Sequence, residues 1–179
     1  MKVTLDTNCL INLFDHNSKT STSVESLESL VRAAFSGAAD LAITTRVRED
    51  LENDQNEGRK NALMRNVKLF PIVCCLFRFD TSRWDNGDYW ATPEDVALSD
   101  GLQRLLFPTL NTGQSDYRNK IHDVDHLIGH AKAKRDVFVT DDKSILKKHA
   151  ELKSDFGITV MMPDQAVAYI HDAIGSPAI

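Results

Sequence analysis

Several acidic side chains of this sequence lie close to the ends of predicted strands, where they could do chemistry. Asp6 ends an alternating apolar pattern, and Asp142 closely follows the apolar run "VFV". Because ligands bind beyond the carboxyl ends of parallel strands, acids at such positions would meet in one pocket. Crowded carboxylates need a cation, and Mg²⁺ or Mn²⁺ prefers oxygen ligands. The sequence therefore predicts a metal site, with the following acids as candidates: Asp6, Asp50 and Glu49, Asp125 and Asp142.

Such a site would suit the hydrolysis of phosphodiester bonds. Two divalent cations about 4 Å apart can activate a water molecule and stabilise the departing oxygen. The net charge of −5 argues weakly against a protein that coats nucleic acid through bulk charge, but it is compatible with an enzyme that has a basic rim. Lysines and arginines of residues 132–148 could hold RNA phosphates, or they could simply be solvated on their helices.

The elements that would position these acids alternate between strand and helix patterns, which predicts an α/β fold. A serine is expected to cap the second helix, and residues 45–67 predict one long helix or two shorter ones. Residues 143–154 predict one basic amphipathic helix. The predicted strands cover residues 2–5, 40–44, 69–79, 136–140 and 157–162.

The helical pattern of residues 122–135 brings three histidines to helical spacing. His122, His126 and His130 recur every four residues, but neither an HExxH pattern nor a cysteine partner accompanies them. We therefore expect them to form a solvated helix face.

The stretch of residues 80–120 interrupts the alternation with many turn-forming residues around two short helical patches. Loops of this length in compact domains are often functional, so we expect an insertion or lid within the domain. Its aromatic residues Trp84, Tyr89 and Trp90 could stack on bases, anchor the insertion to the body, or form part of a homodimer surface.

The totals favour one globular domain covering residues 1–179. Of these residues 42% are hydrophobic and 26% are charged, and no apolar stretch is long enough to span a bilayer. The N-terminus does not look like a signal peptide, so we expect a cytoplasmic protein without a membrane partner. The three cysteines form no CxxC pair, which gives no sign of a zinc site or a disulfide framework.

Four segments in this order resemble the successive motifs of PIN-domain ribonucleases, the group that includes VapC-type toxins. They read "VTLDTNCLINLF", "ITTRVREDL", "DHLIGHAKAKRDVFVTDD" and "GITVMMP", and the resemblance covers about two thirds of the chain without residues 80–120. It implies a three-layer fold with a mostly parallel sheet and helices on both faces. It also implies a metal-dependent endoribonuclease with Mg²⁺ or Mn²⁺, an RNA substrate and, for a toxin, an antitoxin protein as partner.

The resemblance assigns the four acids to definite positions. The first falls on Asp6, and the fourth falls on Asp142, two residues after Thr140. The second, a glutamate followed by leucine in the family, falls on Asp50 before Leu51, with Glu49 as the alternative. The side chain of Asp50 is shorter than the family's glutamate and departs from the pattern. The third falls on Asp125, which makes Asp123 the less favoured member of that acidic pair. Two polar positions, Asn8 and Thr140, match residues that support the metal shell in such enzymes.

Two other functions stay open at the level of sequence. A PIN-like fold can serve as a non-catalytic RNA-binding or protein-assembly module, because fold does not fix function. A flap-type DNA nuclease would use related chemistry, but the sequence has no evident DNA-binding motif.

Overall fold

Nine helices and five strands make up the described part of the chain. The computed structural model describes residues 1–15, 24–79 and 81–175. In chain order the elements are β1 Lys2–Leu5, α1 Thr7–Phe14, α2 Val24–Phe35, β2 Asp40–Thr44, α3 Arg46–Glu52, α4 Glu57–Val67, β3 Ile72–Val73, α5 Pro93–Leu106, α6 Tyr117–Lys132, β4 Val137–Val139, α7 Lys143–Leu146, α8 His149–Phe156, β5 Val160–Met161 and α9 Pro163–Gly175.

The five strands form a single sheet in which every neighbouring pair is parallel. Their order is β3–β2–β1–β4–β5, so the chain first builds one side of β1 and then crosses to the other side. Leu5 of β1 is in register with Val139 of β4. The residues that follow these two strands are therefore neighbours at the point where the strand order reverses, the usual ligand position in such sheets.

Helices cover both faces of the sheet, and each face has its own apolar core. Val3 and Leu5 of β1 point toward one face, where they pack with side chains of α1, α2, α3 and α9. Phe138 of β4 points toward the opposite face and packs with side chains of α5, α6, α7 and α8. This period of two along buried strands is the ordinary consequence of the pleat. The predicted α/β class with a parallel sheet and helices on both faces is confirmed.

The segment predicted as an insertion contains one well-formed helix. The side chain of Thr92 accepts a hydrogen bond from the Asp95 amide, the Asp95 carboxylate accepts one from the Thr92 amide, and Pro93 occupies the first turn. This capping box explains why α5 begins here. Leu102 of α5 is fully buried in the core under α6, and the last four residues of the segment already belong to α6.

Two elements are shorter than the sequence pattern suggests. The apolar run 69–79 forms only the two-residue β3, because the Cys75 amide donates to the Thr45 hydroxyl instead of continuing the strand ladder. The predicted helix 143–154 is divided into α7 and α8. The serines expected to cap α2 and residue 80 of the predicted insertion lie outside the described residues.

Candidate functional site

The candidate site lies at the carboxyl ends of β1 and β4, the first of which is the central strand. Asp6 follows β1 directly, and its amide donates a 3.0 Å hydrogen bond to the Val139 carbonyl. Asp6 also caps α1 by accepting a 2.7 Å bond from the Thr7 amide. Asp142 caps α7 in the same way, with a 2.6 Å bond from the Ser144 amide. The two acids therefore cap helices and also lie at the edge where a ligand site is expected.

Carboxylates from separate segments line one open cavity of about 340 Å³ at this edge. They follow β1, end α3, project from the middle of α6 and begin α7. A further carboxylate, Asp54, lies beyond α3 and forms an ion pair with Arg59. The acidic lining residues are Asp6, Asp50, Asp54, Asp123 and Asp142.

The two supporting positions, Asn8 and Thr140, lie beside Asp6. The Thr140 hydroxyl donates to Asp6 Oδ2 at 2.5 Å, and it accepts a 3.2 Å bond from the Asn8 side chain. The Asp142 amide also donates to the Thr140 hydroxyl at 2.9 Å. Thr140 therefore connects both acids that were assigned to strand ends, and it fixes the orientation of the Asp6 carboxylate.

Asp50 lines the cavity, but both of its carboxylate oxygens are occupied by donors. Nδ1 of His122 lies 2.6 Å from Oδ1, while Nε2 of His126 lies 3.0 Å from Oδ2. The Thr7 hydroxyl donates to Oδ2 at 2.5 Å, and the other ring nitrogen of His126 lies 2.6 Å from the Thr44 hydroxyl. Asp50 is thus held from α1 and α6 at once.

The histidines of α6 are buried, contrary to the predicted solvated face. Each of His122, His126 and His130 is only 1% exposed. Helical spacing alone could not distinguish a polar surface face from a polar buried face. Polar partners make the burial of these rings tolerable. The Asp50 carboxylate pairs with His122 and His126, and the Thr4 hydroxyl lies 2.9 Å from Nδ1 of His130.

Asp125, the residue assigned as third acid, lies outside the cavity, and Asp123 lines it instead. The Asp125 carboxylate is fully buried and accepts bonds from Nε of Arg46 at 2.9 Å and Nε of Arg78 at 2.9 Å. Side chains two residues apart on a helix point in nearly opposite directions, so only one of Asp123 and Asp125 can face the cavity.

Glu49, the alternative second acid, belongs to the same buried ion network and not to the cavity. Arg46 Nη1 contacts both Glu49 oxygens at 2.9 Å and an Asp88 oxygen at 2.7 Å. Glu49 also accepts a bond from the Arg83 amide. The Arg46 side chain is fully buried, so these carboxylates compensate a charge that would otherwise be very costly.

The helical period of α6 does not distinguish the two members of the pair. Asp125 lies four residues after Ile121, and Asp123 lies four residues before Leu127; both of these apolar residues are buried. The two acids therefore flank the apolar stripe on opposite sides, and periodicity alone could not show which of them reaches the cavity.

The acids of the cavity perturb one another electrostatically. Burial raises the pKa of Asp6, and the negative charge of Asp50 raises it further, against the opposing effect of His126. Burial likewise raises the pKa of Asp123 well above its usual range, with added contributions from Asp6, Asp142 and Asp50. Repulsion of this kind is relieved by a cation.

His126 is a buried cationic side chain next to this cluster. Burial opposes its charge, but Asp50, Asp6 and Asp123 outweigh burial and raise its pKa to about 9. Burial alone would raise the pKa of Asp50, yet the hydrogen bonds and charges of His122 and His126 hold it below the usual range. The imidazolium therefore neutralises Asp50 first, since its distance to Asp6 Oδ1 is longer, 3.8 Å.

The donor chemistry of the cavity fits a hard divalent cation. Asp123 has no hydrogen-bond partner among the described residues, so its oxygens are available, and Asp6 and Asp142 line the same space. Within the described ranges, no three acidic, histidine or cysteine side chains come close enough together to hold an ion by themselves. Mg²⁺ in proteins commonly uses one or two carboxylates and completes its shell with water and substrate phosphate.

The comparisons with protein families and with curated proteins give the same result for this chain. No protein-family model matches it. No curated protein matches it either. What defines its class is therefore the geometry: a five-stranded parallel α/β protein with an acidic cavity where the strand order reverses.

Proposed function

We propose that this protein is a metal-dependent endoribonuclease with a PIN-like fold. The observation that carries the proposal is the convergence of carboxylates from four separate segments on one cavity at the carboxyl edge of the central strands. The order of the sequence motifs along the chain and the parallel α/β sheet support the same reading. A cluster of carboxylates is costly to fold without a cation, so its presence favours a metal-binding function over a purely structural one.

Asp6, Asp123 and Asp142 line the cavity and would supply one or two carboxylates to a bound Mg²⁺ or Mn²⁺, with water and substrate phosphate completing its shell. A bound divalent cation would lower the pKa of a coordinated water and stabilise negative charge on the departing oxygen of the phosphodiester. Asp123 replaces Asp125 in this proposal because only Asp123 lines the cavity. Thr140 would keep the Asp6 carboxylate in one orientation, with Asn8 fixing the Thr140 hydroxyl in turn.

Asp50 has a different part in the proposed mechanism. Its two oxygens are occupied by His122, His126 and Thr7, so it serves first to hold these side chains around the cavity. His126 is buried and does not line the cavity, so its positive charge acts on the acids from behind the cavity wall. The shorter aspartate in place of the family's glutamate is consistent with this positioning role.

The test is Mn²⁺-dependent cleavage of a single-stranded RNA by wild type, Asp6→Asn and Asp123→Asn. We expect each variant to lose at least about a hundredfold in rate and to lose the increase in melting temperature that Mn²⁺ gives the wild type. Asp100→Asn is the matched control, because Asp100 is exposed on α5 and lines none of the described cavities. Full activity of Asp123→Asn would refute the assignment.

The same experiment separates the enzyme from a non-catalytic binding module. A module would bind RNA with or without Mn²⁺ and would show no cleavage in any variant. RNA as substrate follows from the proposal, whereas an antitoxin and a homodimer stay predictions of the sequence alone. No helix in the described ranges has the length and apolar character needed to cross a bilayer.

A further inference from the structure

A second cavity of about 430 Å³ lies next to the acidic cavity and shares one lining residue with it. Arg59, from the first turn of α4, borders both of them. The second cavity lies between the end of α1 and α4, and its other lining residues are Phe14, Asp15, Asn56, Ala62 and Leu63. A ligand that extends beyond the acids in this direction must pass Arg59.

Arg59 is the one basic side chain that borders either cavity in the described part of the chain. Nε donates to Asp54 at 2.5 Å, and Nη1 lies 3.4 Å from Asp15. The Nη2 group donates to no described residue, and 43% of the side chain is exposed. The Asp54 and Asp15 side chains are only 8% and 11% exposed, so a phosphate would bind Arg59 at its remaining Nη2 group while both carboxylates stay in place.

The lining of the second cavity differs in chemistry from that of the first. It offers one aromatic ring, Phe14, one amide, Asn56, and the aliphatic surface of Ala62 and Leu63. Asp15, which Arg59 approaches, is its one acid among the described residues. Most of this lining is polar, and the combination of one ring, one amide and the Arg59 guanidinium suits a nucleotide with its phosphate.

We propose that Arg59 binds the phosphate next to the scissile one, and that the second cavity holds the neighbouring nucleotide of a single-stranded RNA. This subsite rests on the proposed nuclease function. It specifies the substrate as a strand with at least one nucleotide more than the two that flank the scissile phosphate. Arg59 is charge-complementary to the ligand, whereas the acids at the first cavity need a cation before phosphate can enter. The purely structural alternative is that Arg59 only ties α4 to the turn at Asp54.

The first experiment measures KM and kcat for cleavage of an oligouridylate by wild type, Arg59→Gln and Arg59→Lys in Mn²⁺. Loss of a charge-assisted bond to phosphate should raise KM about tenfold or more in Arg59→Gln while kcat stays within about threefold. Arg59→Lys should recover part of the affinity. Arg65→Gln is the control, because Arg65 lies exposed on the same helix and borders neither cavity.

The second experiment compares a dinucleotide with a hexanucleotide as substrate. In the wild type kcat/KM should be at least about tenfold higher for the longer strand, and Ala62→Trp, which fills the second cavity from an exposed position, should abolish that advantage. A KM for Arg59→Gln equal to that of Arg65→Gln, or a length advantage that survives Ala62→Trp, would overturn the subsite. Failure of the proposed function is distinct, because it would show as no cleavage by the wild type.

Discussion

At the scale of single residues, Asp123 and Asp125 have opposite electrostatic environments although they are two positions apart on α6. Asp125 is surrounded by Arg46 and Arg78 and stabilises a buried charge. Asp123 faces the other acids of the cavity, and burial together with these acids raises its pKa. Removing the negative charge should therefore have opposite consequences for the free energy of unfolding at the two positions.

We predict that Asp125→Asn lowers the free energy of unfolding by about 3 kcal/mol, since it leaves Arg46 and Arg78 with an uncompensated buried charge. Asp123→Asn should leave stability unchanged or raise it in metal-free buffer, because it removes repulsion from the acidic cavity. Urea denaturation of the two variants in EDTA measures both effects. Equal destabilisation by the two substitutions would show that the cavity acids do not repel one another as described.

At the scale of elements, α5 is part of the helical layer and does more than cover a pocket. Leu102 is fully buried among residues of α6 and α8, while Val96 on the same helix is 48% exposed. A short Gly/Ser linker in place of residues 80–120 would therefore uncover part of the core under α6.

The prediction for α5 is that Leu102→Ala lowers the free energy of unfolding by about 3 kcal/mol, as expected for a leucine truncated in a core. Val96→Ala, the matched control, should change it by less than about 1 kcal/mol because its side chain is half exposed. Chemical denaturation at neutral pH measures both. A small effect of Leu102→Ala would mean that α5 is only loosely attached to the sheet.

At the scale of the whole molecule, the buried side chain of His130 makes the free energy of unfolding depend on pH. It lies beneath the sheet, where its ring contacts Phe138 and its Nδ1 is 2.9 Å from the Thr4 hydroxyl. Burial, together with the charge of Arg135, lowers its pKa from 6.5 to about 4. The unfolded chain therefore binds a proton between these pH values that the native protein does not bind.

The sign of the effect follows from that difference in bound protons. The stabilising contribution of neutral His130 is complete above pH 6.5 and is lost as the pH falls toward about 4, by about 3 kcal/mol in total. In His130→Gln, which cannot be protonated, this part of the acid-side loss should disappear. Urea denaturation between pH 7 and pH 4 compares the variant with wild type.

His149→Gln serves as the control for this pH dependence, because His149 is exposed at the start of α8. It should leave the pH profile of the wild type unchanged. If His130→Gln and His149→Gln gave the same profile, the acid-side loss of stability would have to come from other groups.

The sequence by itself determined the class of the fold and the edge of the sheet where the acids lie. Alternating apolar residues predicted β1, β2 and β4, and caps and apolar stripes predicted most helices, because these signals are local. Asp6 and Asp142 were found for the same reason: a residue that follows a strand in a parallel sheet has only one edge to occupy.

Only the tertiary structure decided which other side chains reach the cavity. Whether Asp123 or Asp125 faces the cavity depends on how α6 is rotated about its axis against β2 and residues 74–78. This rotation brings Asp125 to Arg46 and Arg78, two residues that are distant from α6 in sequence. The burial of His126 likewise depends on Thr44 and Asp50, partners that no periodicity of α6 can reveal. Local patterns specify elements, whereas the pairing of buried charges is a property of the assembled fold.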